Sequence, residues 1–339
     1  MSNWVELVPS GRKFAVEKDE TILEGALRSG LNLQYHCNNG TCGECRARVI
    51  DGCIGEVQPH DFPLSERERL ERTVLLCRTR VAGNLVIEAS EVGNAEDIPL
   101  QQLTAQVHNI ERPVESIAVV TLRTPRSQTL RFLAGQHISI RLADLAPSNR
   151  SVASCPCNGM YLQFHQRRIP GDPFSEYVFA HLKPREKVGV VGPYGNFVFD
   201  EASTRPALFI AFDTGFSAIK SLIEHAISLD VTQPLRLYWI THDPGDQYMA
   251  NHCRSWGVAL DDFRYVALYP TRGSASGDAA DRDDAGSSLI ESVRRVVEDC
   301  PDLSGCDAYV SGPQTLVAET GALLVSHQLP DHRLFVDSV

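Results

Sequence analysis

Cys37, Cys42 and Cys45 stand in the spacing C-x4-C-x2-C, and Cys77 follows beyond a helical stretch in TVLLCRTR. Four thiolates in that order suit a [2Fe-2S] cluster of the plant type. Asn38, Asn39, Gly40 and Gly43 keep the loop small, so backbone N–H groups can turn toward the sulfurs and offset the negative charge such a cluster carries. A zinc site would ask for paired C-x2-C knuckles, and only one such pair is present. Cys53, Cys155, Cys157, Cys253, Cys300 and Cys306 are read as thiols in core or loop positions, with Cys155-Pro156-Cys157 as the pair to watch.

The flanking segments must hold that loop in place. RKFAVE alternates as a strand, TILEGALRSG is amphipathic and ends at Gly30, and RVAGNLVIEAS reads as a closing strand. Ser65 and Glu68 have capping-box spacing, which predicts a short helix leading to Cys77. Together these fit a small β-grasp ferredoxin.

The chain of 339 residues is long enough for two or three compact units. Its formal net charge of −11 argues against a broad nucleic-acid or anionic-membrane footprint, and there is no basic patch or helix-turn-helix signal. No apolar run reaches the length of a membrane span, and MSNWVELVPSGRKFAVEKDE has no apolar signal region, so a soluble, cytoplasmic protein is expected.

EVGNAEDIPLQQ is acidic, polar and proline-bearing, as an interdomain tether would be. LTAQVHNIERP, SIAVVTLRTP, AGQHISIRLAD, MYLQFHQRRI and EKVGVVGPYGNFVF then alternate as short strands punctuated by Pro and Gly, the pattern of an antiparallel barrel. From Arg205 the pattern turns to β-α-β, beginning with PALFIAF and SAIKSLIEHAISLD, which implies a parallel sheet with ligands outside the carboxyl ends of its strands. TRGSASGDAADRDDAG reads as a mobile acidic loop.

This order of units resembles the oxygenase reductases of the ferredoxin-NADP reductase superfamily over essentially the whole chain, and looks most like divergent reductase-like regulators found with aromatic-degradation pathways. The resemblance implies a multidomain α+β fold. Its parts are a [2Fe-2S] ferredoxin domain (1–92), a linker (93–102), an antiparallel six-stranded FAD-binding β-barrel (103–202) and an α/β parallel-sheet NAD(P)-binding-like domain (203–339). The family's R-x-Y-S flavin motif appears as Arg150, Ser151, Val152 and Ala153, with Val152 in place of the stacking Tyr and Ala153 in place of the Ser near flavin N5. Its second flavin element, a Gly-containing turn ending in Phe-Ser, matches RRIPGDPFSEYVFAHL and brings in Arg168, Ile169, Pro173, Phe174 and Ser175. There, Ser175 and nearby N–H groups would bind phosphate at a helix start. FAD is therefore expected beside the cluster, held by Arg150 and the Phe174-Ser175 turn, with the environment of its ring altered.

The family's nucleotide loop A-G-G-T-G-x-x-P appears as AFDTGFSA, with Phe212 and Asp213 in the two Gly positions and Ala218 in the Pro position. Phe212 is expected to collide with a pyrophosphate, and Asp213 to repel it or to cap the following helix. A carboxylate about 5 Å from a phosphate, at an effective dielectric near 20, costs roughly 3 kcal/mol. The family's C-G-P-P-x-M appears as SGPQTL, with Ser311 for Cys, Gln314 for Pro and Leu316 for Met, and its C-terminal aromatic corresponds to Val339. Val152, Ala153, Phe212, Asp213, Ser311 and Val339 are expected to face one small volume. The resemblance thus implies an electron-transfer or redox-sensing regulator with doubtful NAD(P)H binding. It would take electrons from a protein donor such as a ferredoxin and contact a partner such as a transcription factor, acting on DNA only indirectly. The alternative is an NADH-dependent reductase component of a ring-hydroxylating oxygenase, and whether the chain is an enzyme stays open between the two.

Overall fold

The computed structural model describes residues 3–35, 37–92, 95–125, 128–270 and 282–338. The first unit is a mixed sheet of β1 (Asn3–Val8), β2 (Lys13–Val16), β3 (Arg46–Val57), β4 (Thr73–Leu75) and β5 (Thr79–Glu88), in the order β2-β1-β5-β3-β4. Helix α1 (Ile22–Arg28) crosses it and buries Ile22, Leu23, Ala26 and Leu27 against Val5, Leu7, Phe14 and Leu85. Ser65 and Glu68 cap α2 (Glu66–Leu70) reciprocally, as their spacing predicts, and Thr21 and Glu24, which were not singled out, do the same for α1. The twelve-residue β3 was not among the expected strands, because its second half, DGCIGEV, is exposed and does not alternate cleanly.

The second unit is antiparallel: β6 (Gln101–Val114), β7 (Ile117–Arg123), β8 (His137–Arg141), β9 (Ser148–Ser151), β10 (Tyr161–Arg167) and β11 (Lys187–Tyr194), in the order β10-β7-β6-β11-β8-β9. Strict alternation along β6 sends Leu103, Ala105 and Val107 inward. The free edges nearly close the barrel, where the Ala153 N–H donates to the Gln163 carbonyl at 2.6 Å. Helix α3 (Pro173–Ala180) covers one end with Phe174 and Val178.

The third unit is a parallel sheet of β12 (Ala207–Phe212), β13 (Leu235–Ile240), β14 (Phe263–Leu268), β15 (Asp307–Ser311) and β16 (Leu334–Asp337), in the order β14-β13-β12-β15-β16. Helices α4 (Phe216–Ser228) and α5 (Ala250–Ala259) contribute to one core, while α6 (Arg282–Asp299) and α7 (Gln314–Ser326) contribute to the other. Every residue of β12 is buried, as a central strand covered on both faces must be. Helix α6 starts at Arg282, earlier than the expected Ser287; residues 271–281 of the expected mobile loop, and Val339, lie outside the described residues.

Polar contacts tie the units together. Glu201 accepts from Arg12 at 2.7 Å and from Asn32 at 3.4 Å, and pairs with buried His225 at 2.9 Å. Arg131 of the barrel unit donates to the Tyr35 carbonyl at 3.2 Å, two residues before Cys37. Among the described residues no helix is long and apolar enough to cross a membrane.

Candidate functional site

The cysteine loop precedes β3, and Cys77 lies in the turn between β4 and β5. Its sulfurs meet in two close pairs: Cys45 and Cys77 are 3.3 Å apart, and Cys37 and Cys42 share a hydrogen bond. The N–H groups of Thr41 and Cys42 donate to Cys37 Sγ at 3.4 and 3.3 Å, and that of Glu44 donates to Cys42 Sγ at 3.4 Å. Burial opposes ionisation of Cys37, yet the donors around it hold its thiol down at about 6. The hydrogen bond with Cys77 likewise lowers Cys45 and raises Cys77. Each pair therefore contains one thiol disposed to ionise, and the thiolate is the form that ligates iron. Gly43 is required here: its φ is +76°, and a Cβ at this position would fall on the Phe62 ring. Among the described residues no three His, Cys, Asp or Glu side chains surround a single metal ion. Four thiols in a two-plus-two arrangement fit a two-iron group.

A second site lies at the switch point of the parallel sheet, where β12 has β13 on one side and β15 on the other. A cavity of ≈ 180 Å³ opens there between the barrel and the sheet, lined among others by Arg150, Ser151, Arg167, Thr214, Ser217 and Ser311. Arg150 donates to Gln166 at 2.6 Å and to Ser148 at 2.7 Å, and its guanidinium lies 4.5 Å from the Phe174 ring centroid. Burial lowers its pKa, the field of Asp172 opposing, and among the described residues no carboxylate lies within ion-pair distance of it. It is a half-buried cation suited to an external anion.

The remaining expected residues separate. Ile169 lines the cavity, whereas Arg168 is exposed and turned to the Phe179 ring and Glu115. Pro173 starts α3, and Asp172 takes the Ser175 N–H at 2.7 Å while the Ser175 hydroxyl donates to the Arg167 carbonyl at 3.2 Å. Ser175 thus spends its polar groups within its own turn. Ser151 donates to Asp337 at 3.0 Å, as does Ser311, and burial pushes the Asp337 carboxyl up. Val152 packs inside the barrel, and Ala153 is buried with its carbonyl accepting from Lys220 Nζ at 3.0 Å.

Phe212 corrects an expectation. It is buried in the sheet core with Ile240, Val310 and Leu316, and does not line the cavity, because the last residue of β12 points away from the cleft. The six positions expected to share one volume are therefore divided: Ser311 lines the cavity and Asp213 borders it, while Val152 and Phe212 belong to cores. Asp213 does not cap α4, whose N-cap Gly215 makes no side-chain bond. At φ +51°, a conformation that favours glycine, Asp213 turns its carboxylate into a two-point ion pair with Arg167, which also lies 3.3 Å from Asp246. Burial raises Asp213, whereas Arg167, despite its own burial, is raised by Asp213 and Asp246.

Sequence reasoning missed Arg167, His165 and Lys220. Arg167 stands beside Arg168 in HQRRIP, and strand alternation along β10 could have told which of the two faces the cleft. His165 is fully buried, its Nδ1 lies 2.7 Å from the Tyr248 hydroxyl, and burial holds its pKa well below the usual range. Lys220 pairs with Glu224 at 2.7 Å, and Ser221 donates to the Ser154 carbonyl at 2.8 Å. The bonds of Lys220 and Ser221 to the Ala153 and Ser154 carbonyls fasten α4 to the segment that follows β9.

Residues 5–82 match the family model of the 2Fe-2S iron-sulfur cluster binding domain. The chain is 27% identical over 338 residues to the CDP-6-deoxy-L-threo-D-glycero-4-hexulose-3-dehydrase reductase of Yersinia pseudotuberculosis serotype I (strain IP32953), covering 100% of this chain and 98% of the relative. It is 27% identical over 329 residues to the terephthalate 1,2-dioxygenase reductase component 1 of Comamonas sp, covering 95% of each. The solved ferredoxin reductase in carbazole 1,9a-dioxygenase has the same fold, with a TM-score of 0.59 at 21% identity over 100% of this chain and 98% of that one. With its 2Fe-2S domain, nearly closed barrel and parallel sheet in that order, the chain is similar over its length to ferredoxin reductases and oxygenase reductase components.

Proposed function

We propose that this chain is an iron–sulfur flavoprotein that accepts electrons from a protein donor, such as a ferredoxin, and not directly from NAD(P)H. In this reading it is a cytoplasmic redox sensor whose state alters its contact with a protein partner such as a transcriptional regulator. When bound, the cluster supplies one-electron exchange and FAD couples one- and two-electron steps. FAD fits at its phosphate end, where the half-buried guanidinium of Arg150 has no carboxylate in ion-pair reach among the described residues and lies against Phe174. At the ring end the position of the family's Tyr is taken by Val152, which lies in the barrel core.

The observation that carries the reading is the pair Arg167–Asp213. It fills the first turn after β12, where a dinucleotide's phosphates would need a close backbone and a free cation, with a carboxylate that has already taken the cation. Lys220, Ser221 and His165–Tyr248 add contacts between the barrel and the parallel-sheet unit beside the cavity. The second reading, an NADH-dependent reductase component, draws on the name of the Comamonas relative and on Thr214, Gly215 and Ser217 at the start of α4.

Electron entry through the cluster is tested by mixing the holoprotein anaerobically with a photoreduced plant-type ferredoxin. The expected result is stoichiometric bleaching of the visible cluster bands, with the donor reoxidised. Unchanged bands with the donor still reduced would refute entry at this end.

A further inference from the structure

Cys155 and Cys157 are bonded to each other in this structure, and that was not the expectation of thiols in core or loop positions. Their Cα atoms are 5.2 Å apart, inside the range a disulfide needs. The bond encloses one residue, Pro156, so it closes about the shortest loop a chain can offer and is a poor means of restricting the unfolded state. A structural staple would join distant segments; this one does not.

Its position suggests another use. The turn Pro156–Asn158 follows the segment Val152–Ser154 and packs against α1 of the cluster domain and α4 of the parallel-sheet domain. Just beyond it, Gly159 lies so close to Tyr35 that a Cβ there would stand 2.9 Å from the tyrosine hydroxyl oxygen. Ser154, just before it, has its carbonyl held by Ser221. All three units therefore meet around this turn. The two sulfurs are also unequal: Cys155 is buried, while Cys157 is partly exposed. The Cys157 N–H donates to Cys155 Sγ at 3.3 Å, which favours negative charge on the buried sulfur.

We propose that Cys155 and Cys157 form a reversible thiol–disulfide site that exchanges with low-molecular-weight thiols of the glutathione class. An external thiolate attacks Cys157 Sγ, the Cys155–Cys157 bond breaks, and Cys155 leaves as a thiolate facing the Cys157 N–H. A second thiolate attacks the external sulfur of the mixed disulfide, releasing the external disulfide and the Cys157 thiolate. Two external thiols are oxidised, the protein disulfide gains their two electrons, and the two protons end on the protein thiols. Reduction frees the turn on which the cluster domain leans. This site is independent of whether NAD(P)H binds.

The test equilibrates the native holoprotein anaerobically in glutathione buffers of graded thiol-to-disulfide ratio, quenches with acid, alkylates under denaturing conditions and weighs the peptide containing both cysteines. The expected result is a reversible shift from an unalkylated peptide to a doubly alkylated one as the ratio rises, approached equally from both sides. The Cys155→Ser variant should take up a glutathione adduct on partly exposed Cys157 at least about tenfold faster than Cys157→Ser takes one up on buried Cys155. A peptide that stays alkylated, or stays protected, at every ratio overturns the proposal, and equal adduct rates overturn the assigned order of attack.

Discussion

Cys77→Ser is expected to purify with its iron reduced from about two per chain to a small remainder and to ignore a reduced ferredoxin. Cys77 is the only proposed ligand outside the loop, buried in the turn after β4 and 3.3 Å from Cys45. Serine keeps the shape but replaces a soft thiolate with a hard, poorly ionised hydroxyl, which iron–sulfur chemistry does not favour. Because ligand binding and folding are linked, the first unit should also melt earlier. Colorimetric iron and visible circular dichroism measure both effects. Cys53→Ser, which alters an exposed thiol on β3, is the control and should keep its iron. Wild-type iron content in Cys77→Ser would remove this residue from the ligand set.

Asp213→Gly is expected to strengthen NADH binding by roughly a hundredfold, the equivalent of the roughly 3 kcal/mol of like-charge repulsion at about 5 Å. The substitution removes the carboxylate, leaves Arg167 with Asp246 as its remaining acidic partner and so better able to meet a phosphate, and places glycine at φ +51°, which glycine adopts without strain. Asp213→Asn, which tolerates the same backbone, should recover part of the gain. Tighter binding should not bring fast hydride transfer, because Ser311 and Ala153 still stand where the resembling enzymes have Cys and Ser. Calorimetric titration reads the affinity. An unchanged dissociation constant in both variants would show that Asp213 is not what excludes the nucleotide.

The elements were legible where a local signal is strong. The capping box of α2, the period-two pattern of β6 and the uninterrupted apolar run of β12 each encode their structure within a few residues. The cysteine spacing was legible for the same reason, since a loop of small residues bearing thiols at fixed intervals has few other uses. What failed was side-chain direction at the ends of strands. Phe212 and Asp213 are adjacent, yet one enters the core and the other the cleft, and only the handedness of the turn after β12 decides which. The partnership of Arg167 with Asp213 crosses two units and leaves no trace in spacing along the chain. The Cys155–Cys157 bond was hidden differently: the pair was visible, but its oxidation state is not a property of residue order.

The central claim is that this chain, although built like a reductase, does not take hydride from a reduced pyridine dinucleotide. An anaerobic titration of the holoprotein with NADH, followed across the visible spectrum, tests it most directly. The account predicts flavin and cluster bands that stay oxidised through a several-fold excess, and that bleach when reduced ferredoxin is then added. Bleaching by NADH alone, complete within a turnover time, would contradict it.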